Sequence, residues 1–138
     1  MLAPDAIAGL VTAAGDSFGL KHDAEITIEA NPNDIMRMDL EGLKVAGINR
    51  LSIGIQSLRD HALAFLGRDH DSDVARAALR RAMKIFPNVS IDLIYARPGQ
   101  SEDEWQAELA DVLEYGAPHI SLYELTIEER TAFGKAAA

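Results

Sequence analysis

The sequence predicts an α/β fold built on a parallel sheet. Four short runs are rich in branched apolar residues, as strands are, and each is bounded by turn-forming residues. The segments between them are long, carry apolar residues at helical spacing and begin at residues suited to capping a helix. Strands that alternate with helices in this way pair in parallel through right-handed crossovers, in an open sheet or in a barrel.

The first half of the chain contains a helix, a strand and a second helix. A helix is predicted over 4–18, with Pro4 in its first turn and Gly19 at its end. A strand over 25–30 ends before Pro32, and Asn33 or Asp34 is predicted to cap the next helix, which Gly47 terminates. The residues of that helix predicted to face inward are Ile35, Met38, Leu40, Leu43 and Val45.

The second half of the chain repeats the alternation. A strand over 51–55 leads to Gln56, a short helix over 60–66 and a turn at Gly67. A helix capped by Ser72 or Asp73 runs to about residue 86 and a third strand covers 89–95. Ser101 and Glu104 form a capping box that begins a helix ending near residue 116, and the last strand covers 119–126.

The length sets a limit on how this sheet closes. A closed barrel needs eight strands and about 250 residues, whereas this chain has 138 residues and four predicted strands. A parallel sheet of four strands also leaves apolar edges. We therefore expect a piece of a larger protein, with a short protein that closes its sheet by dimerising as the alternative.

Composition excludes several classes of function. The chain has no cysteine, so it offers no thiolate for zinc or for an iron–sulfur cluster. Its net charge of −9 argues against binding to nucleic acid, which depends on clustered Lys and Arg. No apolar stretch is long enough to span a membrane and no signal peptide is visible, so a cytoplasmic location is expected.

Polar residues lie in or at the ends of otherwise apolar strands. They are Glu29, Gln56, Asp92 and Glu124. Arg68 lies in the polar loop that comes after Gln56. Ligands of parallel α/β proteins bind beyond the carboxyl ends of the strands, and a guanidinium there suits a ligand carboxylate. The alternatives are that the strand-end groups cap loop N–H groups and that Arg68 forms a solvated pair with Asp69 or Asp71.

The histidines do not suggest a metal site. His22, His61, His70 and His119 are scattered along the chain, and each is predicted to be a surface or structural residue. His70 is the one closest to the predicted site, because it follows Arg68 in the same loop. No glycine-rich dinucleotide fingerprint or phosphate loop is present.

Five motifs in order give a resemblance to a known family. They are EITIEANP at 25–32, RLSIGIQS at 50–57, LGRDH at 66–70, IDLIYARPGQ at 91–100 and HISLYELTIE at 119–128. Together they resemble the radical SAM core of the HemW heme chaperones and, more distantly, of the oxygen-independent coproporphyrinogen III oxidases. The resemblance covers almost the whole chain.

This resemblance implies a fold and a ligand. The fold is an incomplete radical SAM barrel, of which residues 1–138 supply the part from its second helix to its sixth strand. The cysteine loop that holds a [4Fe-4S] cluster in the complete protein, and the C-terminal region, lie outside this sequence. The residues matching those that hold S-adenosylmethionine are Glu29, Gln56, Arg68, Asp92 and, through its backbone, Thr126.

The roles implied follow the chemistry of the ligand. Arg68 suits the carboxylate of S-adenosylmethionine, Glu29 its ammonium, and Gln56 and Asp92 its ribose. No catalytic residue and no metal ligand is assigned, so the chain alone is expected to be inactive. The expected role of the complete protein is heme binding and delivery, with coproporphyrinogen III oxidation as one alternative and a cysteine-free binding module, self-associating through its sheet edges, as another.

Overall fold

The computed structural model describes residues 3–128 and residue 130. The elements in chain order are α1 Pro4–Phe18, β1 Thr27–Ala30, α2 Pro32–Arg37, α3 Leu40–Val45, β2 Arg50–Gln56, α4 Asp60–Phe65, α5 Ser72–Ile85, β3 Val89–Tyr95, α6 Glu102–Leu113 and β4 His119–Glu124. The four strands form one sheet, parallel throughout, in the order β1-β2-β3-β4. The predicted α/β class and the parallel sheet are confirmed.

The two faces of the sheet differ in chemistry. Successive side chains of a strand point to opposite faces, and Leu51, Ile53 and Ile55 of β2 are fully buried on one of them. Ser52 lies on the other face, next to Ser90 of β3 with which it is in register. One face is therefore apolar and the other carries hydroxyl and charged groups.

The apolar face is covered by helices. Buried residues of α1, α2, α3, α5 and α6 join the apolar strand residues in a single core cluster; the helical members include Ile7, Ile35, Leu40, Leu43, Leu79 and Val112. The strands also follow one another across the sheet without the reversal of order that marks a doubly wound sheet. Of the two arrangements that the sequence left open, the structure has the barrel type, with its sheet unclosed.

The segment after β1 departs from the prediction of one helix. Asn31, and not Asn33 or Asp34, is the cap of α2, and its side chain accepts the N–H of Asp34 at 2.8 Å. Pro32 then occupies the first helical position, where its missing N–H is harmless. A separate helix begins after Asp39, whose carboxylate accepts the N–H of Gly42 at 2.9 Å.

Large apolar side chains at two helix ends are exposed. Val45 was predicted to face inward, yet it is 89% exposed because it lies in the last turn of the short helix α3. In α1, Phe18 is 85% exposed, and Ile7 is the buried residue of that helix.

Further boundaries differ by a few residues. Asp71, and not Ser72 or Asp73, caps α5 by accepting the N–H of Val74 at 2.8 Å. Ser101 caps α6 as predicted, accepting the N–H of Glu104 at 3.1 Å. The side chain of Glu104 instead lies 3.0 Å from His61 and 3.4 Å from Arg97.

Candidate functional site

A cleft of about 390 Å³ lies on the polar face of the sheet. Its lining residues come from β1, β2 and β3, from the start of α2 and from the loop between α4 and α5; they are Glu29, Ala30, Asn31, Asp34, Ser52, Gly54, Gln56, Arg68, Asp69, His70 and Asp92. Four of the five residues predicted to bind a ligand, Glu29, Gln56, Arg68 and Asp92, therefore meet in one cleft. Thr126 and Glu124 are not among its lining residues.

The carboxylate of Asp92 is held in a fixed orientation by serine hydroxyls. Ser52 donates to Oδ2 at 2.8 Å and Ser90 donates to Oδ1 at 3.1 Å. Ser121 on β4 lies 3.2 Å from the Ser90 hydroxyl and extends the network across the sheet. Each carboxylate oxygen has more than one acceptor site, so Asp92 retains acceptor capacity toward the cleft.

Gln56 lies at a strained position at the end of β2. Its φ is +66°, in the left-handed region that residues other than glycine seldom adopt. The N–H of Ser57 donates to the carbonyl of Ile55 at 2.8 Å, which closes a three-residue γ-turn around Gln56. A Cβ at Gly54 would lie 2.7 Å from Nε2 of Gln56, so the amide group folds back over this glycine.

Arg68 owes its position to the way that α4 ends. Gly67 adopts φ +64°, its N–H donates to Ala64 at 3.1 Å, and the N–H of Arg68 donates to Leu63 at 2.9 Å. This is the Schellman arrangement in which glycine supplies the left-handed residue. Among the described residues the guanidinium forms no ion pair, so the predicted alternative of a pair with Asp69 or Asp71 is absent from that part of the chain.

The sequence did not assign His70 to the site, yet His70 lines the cleft. Its side chain is 1% exposed, and its Nε2 lies 3.3 Å from the carbonyl oxygen of Ile55. Nδ1 has no hydrogen-bond partner and lies 3.7 Å from Oδ1 of Asp69. The signal in the sequence was its position two residues after Arg68.

The balance of charge in the cleft is acidic. Four carboxylates line it, those of Glu29, Asp34, Asp69 and Asp92, against one guanidinium. Carboxylates grouped in this way repel one another, and a cationic ligand relieves that repulsion. The cleft therefore suits a ligand with net positive charge that also carries one anionic group for Arg68.

A second polar cluster, Arg97 and Glu108 with Ser57 and Leu58, lies buried behind the turn at Gln56. Nη2 of Arg97 lies 3.1 Å from Oε2 of Glu108, and the two residues are 5% and 0% exposed. Oε1 of Glu108 accepts the hydroxyl of Ser57 and, at 2.7 Å, the N–H of Leu58. No local pattern predicts this pair, because its members come from separate segments that meet only in the fold.

The described residues offer no metal centre. No group of three or more histidine and carboxylate side chains is placed to hold a metal ion in residues 3–128 and 130. The helices described there also include none that is long and apolar enough to cross a membrane.

A parallel sheet with helices on one face and a polar cleft on the other defines a barrel-type α/β protein, and in such proteins clefts of this kind are where small ligands bind. Residues 2–112 match the Radical SAM superfamily, and the chain belongs to that superfamily. Members of the superfamily use S-adenosylmethionine together with a [4Fe-4S] cluster.

Similar proteins include radical S-adenosyl methionine domain-containing proteins and heme chaperones. The chain is 40% identical over 133 residues to the zebrafish (Danio rerio) "Radical S-adenosyl methionine domain-containing protein 1, mitochondrial". The match covers 96% of this chain and 30% of that protein. It is 40% identical over 116 residues to "Heme chaperone HemW" of Escherichia coli K12, covering 83% of this chain and 31% of that protein.

A solved structure shows the same fold. Coproporphyrinogen III oxidase (HemN) from Escherichia coli, a radical SAM enzyme, superimposes with a TM-score of 0.79 and 28% identity, over 97% of this chain and 31% of that chain. The predicted radical SAM resemblance and the partial barrel are confirmed. The chain spans about a third of the length of these relatives.

Proposed function

We propose that the cleft binds S-adenosylmethionine and that the chain forms the S-adenosylmethionine side of a radical SAM core. The observation that carries the proposal is that Glu29, Gln56, Arg68 and Asp92, from separate segments, line the same cleft. Superfamily membership supports the ligand, and the acidic cleft with a single guanidinium suits its charges. Residues 1–138 would then be one part of the core domain.

The chemistry of the four side chains matches the parts of the ligand. Arg68 binds the methionyl carboxylate through parallel hydrogen bonds, and Glu29 binds the ammonium. Gln56 and Asp92 bind the ribose hydroxyls, for which Asp92 is already oriented by Ser52 and Ser90. Thr126 lies outside the lining of the cleft, so a contact from its backbone stays a prediction.

The iron–sulfur cluster of the superfamily does not fit this chain. The 138 residues include no cysteine and therefore no thiolate to hold it. When a cluster is bound elsewhere in the complete protein, it supplies the electron for radical chemistry. The residues of this chain bind and orient the ligand, and we assign none of them a chemical step.

Calorimetric titration of S-adenosylmethionine into the full-length protein tests the ligand assignment. Arg68→Ala should weaken binding about tenfold or more, because a charge-assisted contact to the carboxylate is lost. Arg80→Ala is the matched control, since Arg80 lies exposed on α5 away from the cleft. Equal affinities of the wild type and both variants would remove Arg68 from the site.

For the complete protein we propose heme binding and delivery. Support comes from the 40% identity to a HemW heme chaperone, against 28% to coproporphyrinogen III oxidase. Heme titration followed by absorption, beside an assay of coproporphyrinogen III decarboxylation, separates the two roles. Heme binding without turnover favours the chaperone, and turnover favours the oxidase. A cytoplasmic location stays a prediction.

A module that self-associates through its sheet edges is the second candidate. It is favoured by Leu122 and Tyr123 of the edge strand β4, which are 47% and 55% exposed. Sizing of the 138-residue chain by analytical ultracentrifugation tests it. A folded dimer that binds ligand without iron supports the module, and a monomer or an aggregate contradicts it.

A further inference from the structure

The turn at Gln56 needs support from its surroundings. A γ-turn with positive φ is rare and strained for a residue with a side chain, and such a conformation persists where neighbouring groups fix it. Here the strained residue is also one of the four side chains that meet in the cleft. The groups that hold the turn therefore influence where the Gln56 amide lies.

The residues after Gln56 are held by the buried cluster. Glu108 accepts both the hydroxyl of Ser57 and the N–H of Leu58, and Arg97 neutralises its charge at 3.1 Å. These contacts fix the chain as it leaves the turn. They do not reach the loop that carries Arg68.

The residue before Gln56 is held by His70. The carbonyl of Ile55 can only accept, so the imidazole donates from Nε2 over 3.3 Å. Nδ1 has no hydrogen-bond partner and lies 3.7 Å from Oδ1 of Asp69. The same carbonyl also accepts the N–H of Ser57 that closes the γ-turn. His70 thus bonds to the turn itself.

His70 also belongs to the loop of Arg68. The backbone of that loop is tied down by the N–H of Arg68 on Leu63 and by Asn33, whose Nδ2 donates to the carbonyl of Asp69 at 3.1 Å. Among the described residues, His70 supplies the side-chain hydrogen bond that joins this loop to β2. It therefore connects the segments that carry Arg68 and Gln56.

A purely structural role explains His70 less well. A side chain that is 1% exposed, with no hydrogen bond at Nδ1 and only the Asp69 carboxylate 3.7 Å away, loses hydration with little compensation. An aromatic hydrocarbon of similar volume would fill the space without this loss. A function of the Nε2 donor in the site explains why position 70 holds an imidazole and not an apolar ring.

We propose that His70 is a positioning residue of the cleft, which couples the Arg68 loop to the γ-turn at Gln56. It sets the separation between the guanidinium that binds the ligand carboxylate and the amide that binds the ribose. This inference rests on the proposed binding of S-adenosylmethionine. His70 acts through its neighbours and contacts no reacting atom.

The test compares substitutions at position 70 in the full-length protein by calorimetry and thermal melting. His70→Phe keeps an aromatic ring, of somewhat larger volume, and removes the donor. It should weaken S-adenosylmethionine binding roughly three- to tenfold, the effect of one lost hydrogen bond. His70→Gln places an amide N–H near the position of Nε2 and should restore most of the affinity. His61→Phe is the control, because His61 is 71% exposed and lies outside the cleft, and its affinity should equal that of the wild type.

A double-mutant cycle separates positioning from general stability. If His70 acts through Arg68, adding His70→Phe to Arg68→Ala should change the dissociation constant by less than about twofold. The decarboxylated analogue of S-adenosylmethionine, which lacks the group for Arg68, should likewise bind wild type and His70→Phe almost equally. Additive losses in the cycle, or a His70→Phe variant that melts earlier but binds normally, would overturn the proposal. A wild-type protein that binds no S-adenosylmethionine would instead refute the proposed function.

Discussion

Asp92 and Glu108 are two carboxylates that both accept a hydrogen bond from serine. They differ in how much hydrogen-bond acceptor capacity each has left for a further partner. Glu108 is fully buried and its two oxygens are occupied by Arg97, Ser57 and Leu58. Asp92 faces the cleft and accepts one hydroxyl on each oxygen. A carboxylate whose hydrogen bonds are all made within the protein stabilises the fold. A carboxylate that is oriented but still has acceptor capacity is available to a ligand.

The largest expected effect is on stability, at Glu108. Glu108→Ala should lower the free energy of unfolding by about 3–5 kcal/mol. It removes the closer of the two carboxylates that face the buried Arg97 and leaves only Glu104, at 3.4 Å. Urea denaturation measures this loss. Arg97→Met combined with Glu108→Leu should be less destabilised than Glu108→Ala, since neither charge remains. A double variant that is less stable than the single one would show that the pair contributes more than its burial penalty.

The next effect is on ligand binding, at Asp92. Asp92→Asn keeps an oxygen for a serine hydroxyl but loses the charge, so S-adenosylmethionine affinity should fall by about 1.5–3 kcal/mol. Calorimetry measures the affinity. Urea denaturation of the same variant should show a much smaller loss of unfolding free energy than that of Glu108→Ala. If Asp92→Asn were as destabilising as Glu108→Ala, the distinction between the two carboxylates would be wrong.

A smaller effect on ligand binding is expected at Gly54. The amide of Gln56, the other residue proposed to bind the ribose, folds back over this glycine. The new methyl group of Gly54→Ala would displace Nε2 of Gln56, and affinity should fall roughly three- to tenfold. Stability should change by less than about 1 kcal/mol, because the strain is relieved by moving the end of a flexible side chain. Calorimetry and thermal melting give both quantities, and Gly9→Ala, where nothing lies within 4 Å of the added Cβ, is the control.

The smallest effect concerns Asp111, one turn beyond Glu108 on α6 and 38% exposed. The hydrogen bond from Arg59, at 2.6 Å, lowers the pKa of Asp111 below its usual value of 3.8. A lowered folded pKa adds stability above the unfolded value, and this contribution is lost as the pH falls through the folded pKa. In Asp111→Asn, the free energy of unfolding should therefore fall less than in the wild type as the pH drops below about 4. The difference should be less than about 1 kcal/mol, because the pair of Arg59 and Asp111 is solvated. Urea denaturation between pH 7 and 3 measures it, and identical pH profiles would contradict it.

The strand pattern let the sequence predict the sheet and the cleft. Branched apolar runs that contain Glu29 and Asp92 or end in Gln56 indicate both the strands and the polar side chains that the sheet brings together. The helix caps were harder to predict, because Asn31 and Asp71 are each followed within three residues by other residues that can cap a helix. Which of them caps the helix depends on the backbone geometry.

Two features depend on tertiary contacts and have no local signature. The pairing of Arg97 with Glu108 requires the loop after β3 to fold under α6, which no sequence period reveals. The burial of His70 follows from the path of its loop back to Ile55, and a histidine in a polar loop is ordinarily exposed. Of the residues named by strand pattern or resemblance, Glu29, Gln56, Arg68 and Asp92 line the cleft and Glu124 and Thr126 do not, while the lining residue His70 was not assigned to the site from the sequence.

The excess of carboxylates in the cleft has a kinetic consequence. A concave surface with one sign of charge focuses its electric field outward, and the chain as a whole carries a net charge of −9. A cationic ligand would be drawn toward the opening before it touches any side chain, so its association rate would exceed that of a neutral analogue. Because the Debye length shortens from about 30 Å at 0.01 M salt to about 8 Å at 0.15 M, this advantage would fade as ionic strength rises.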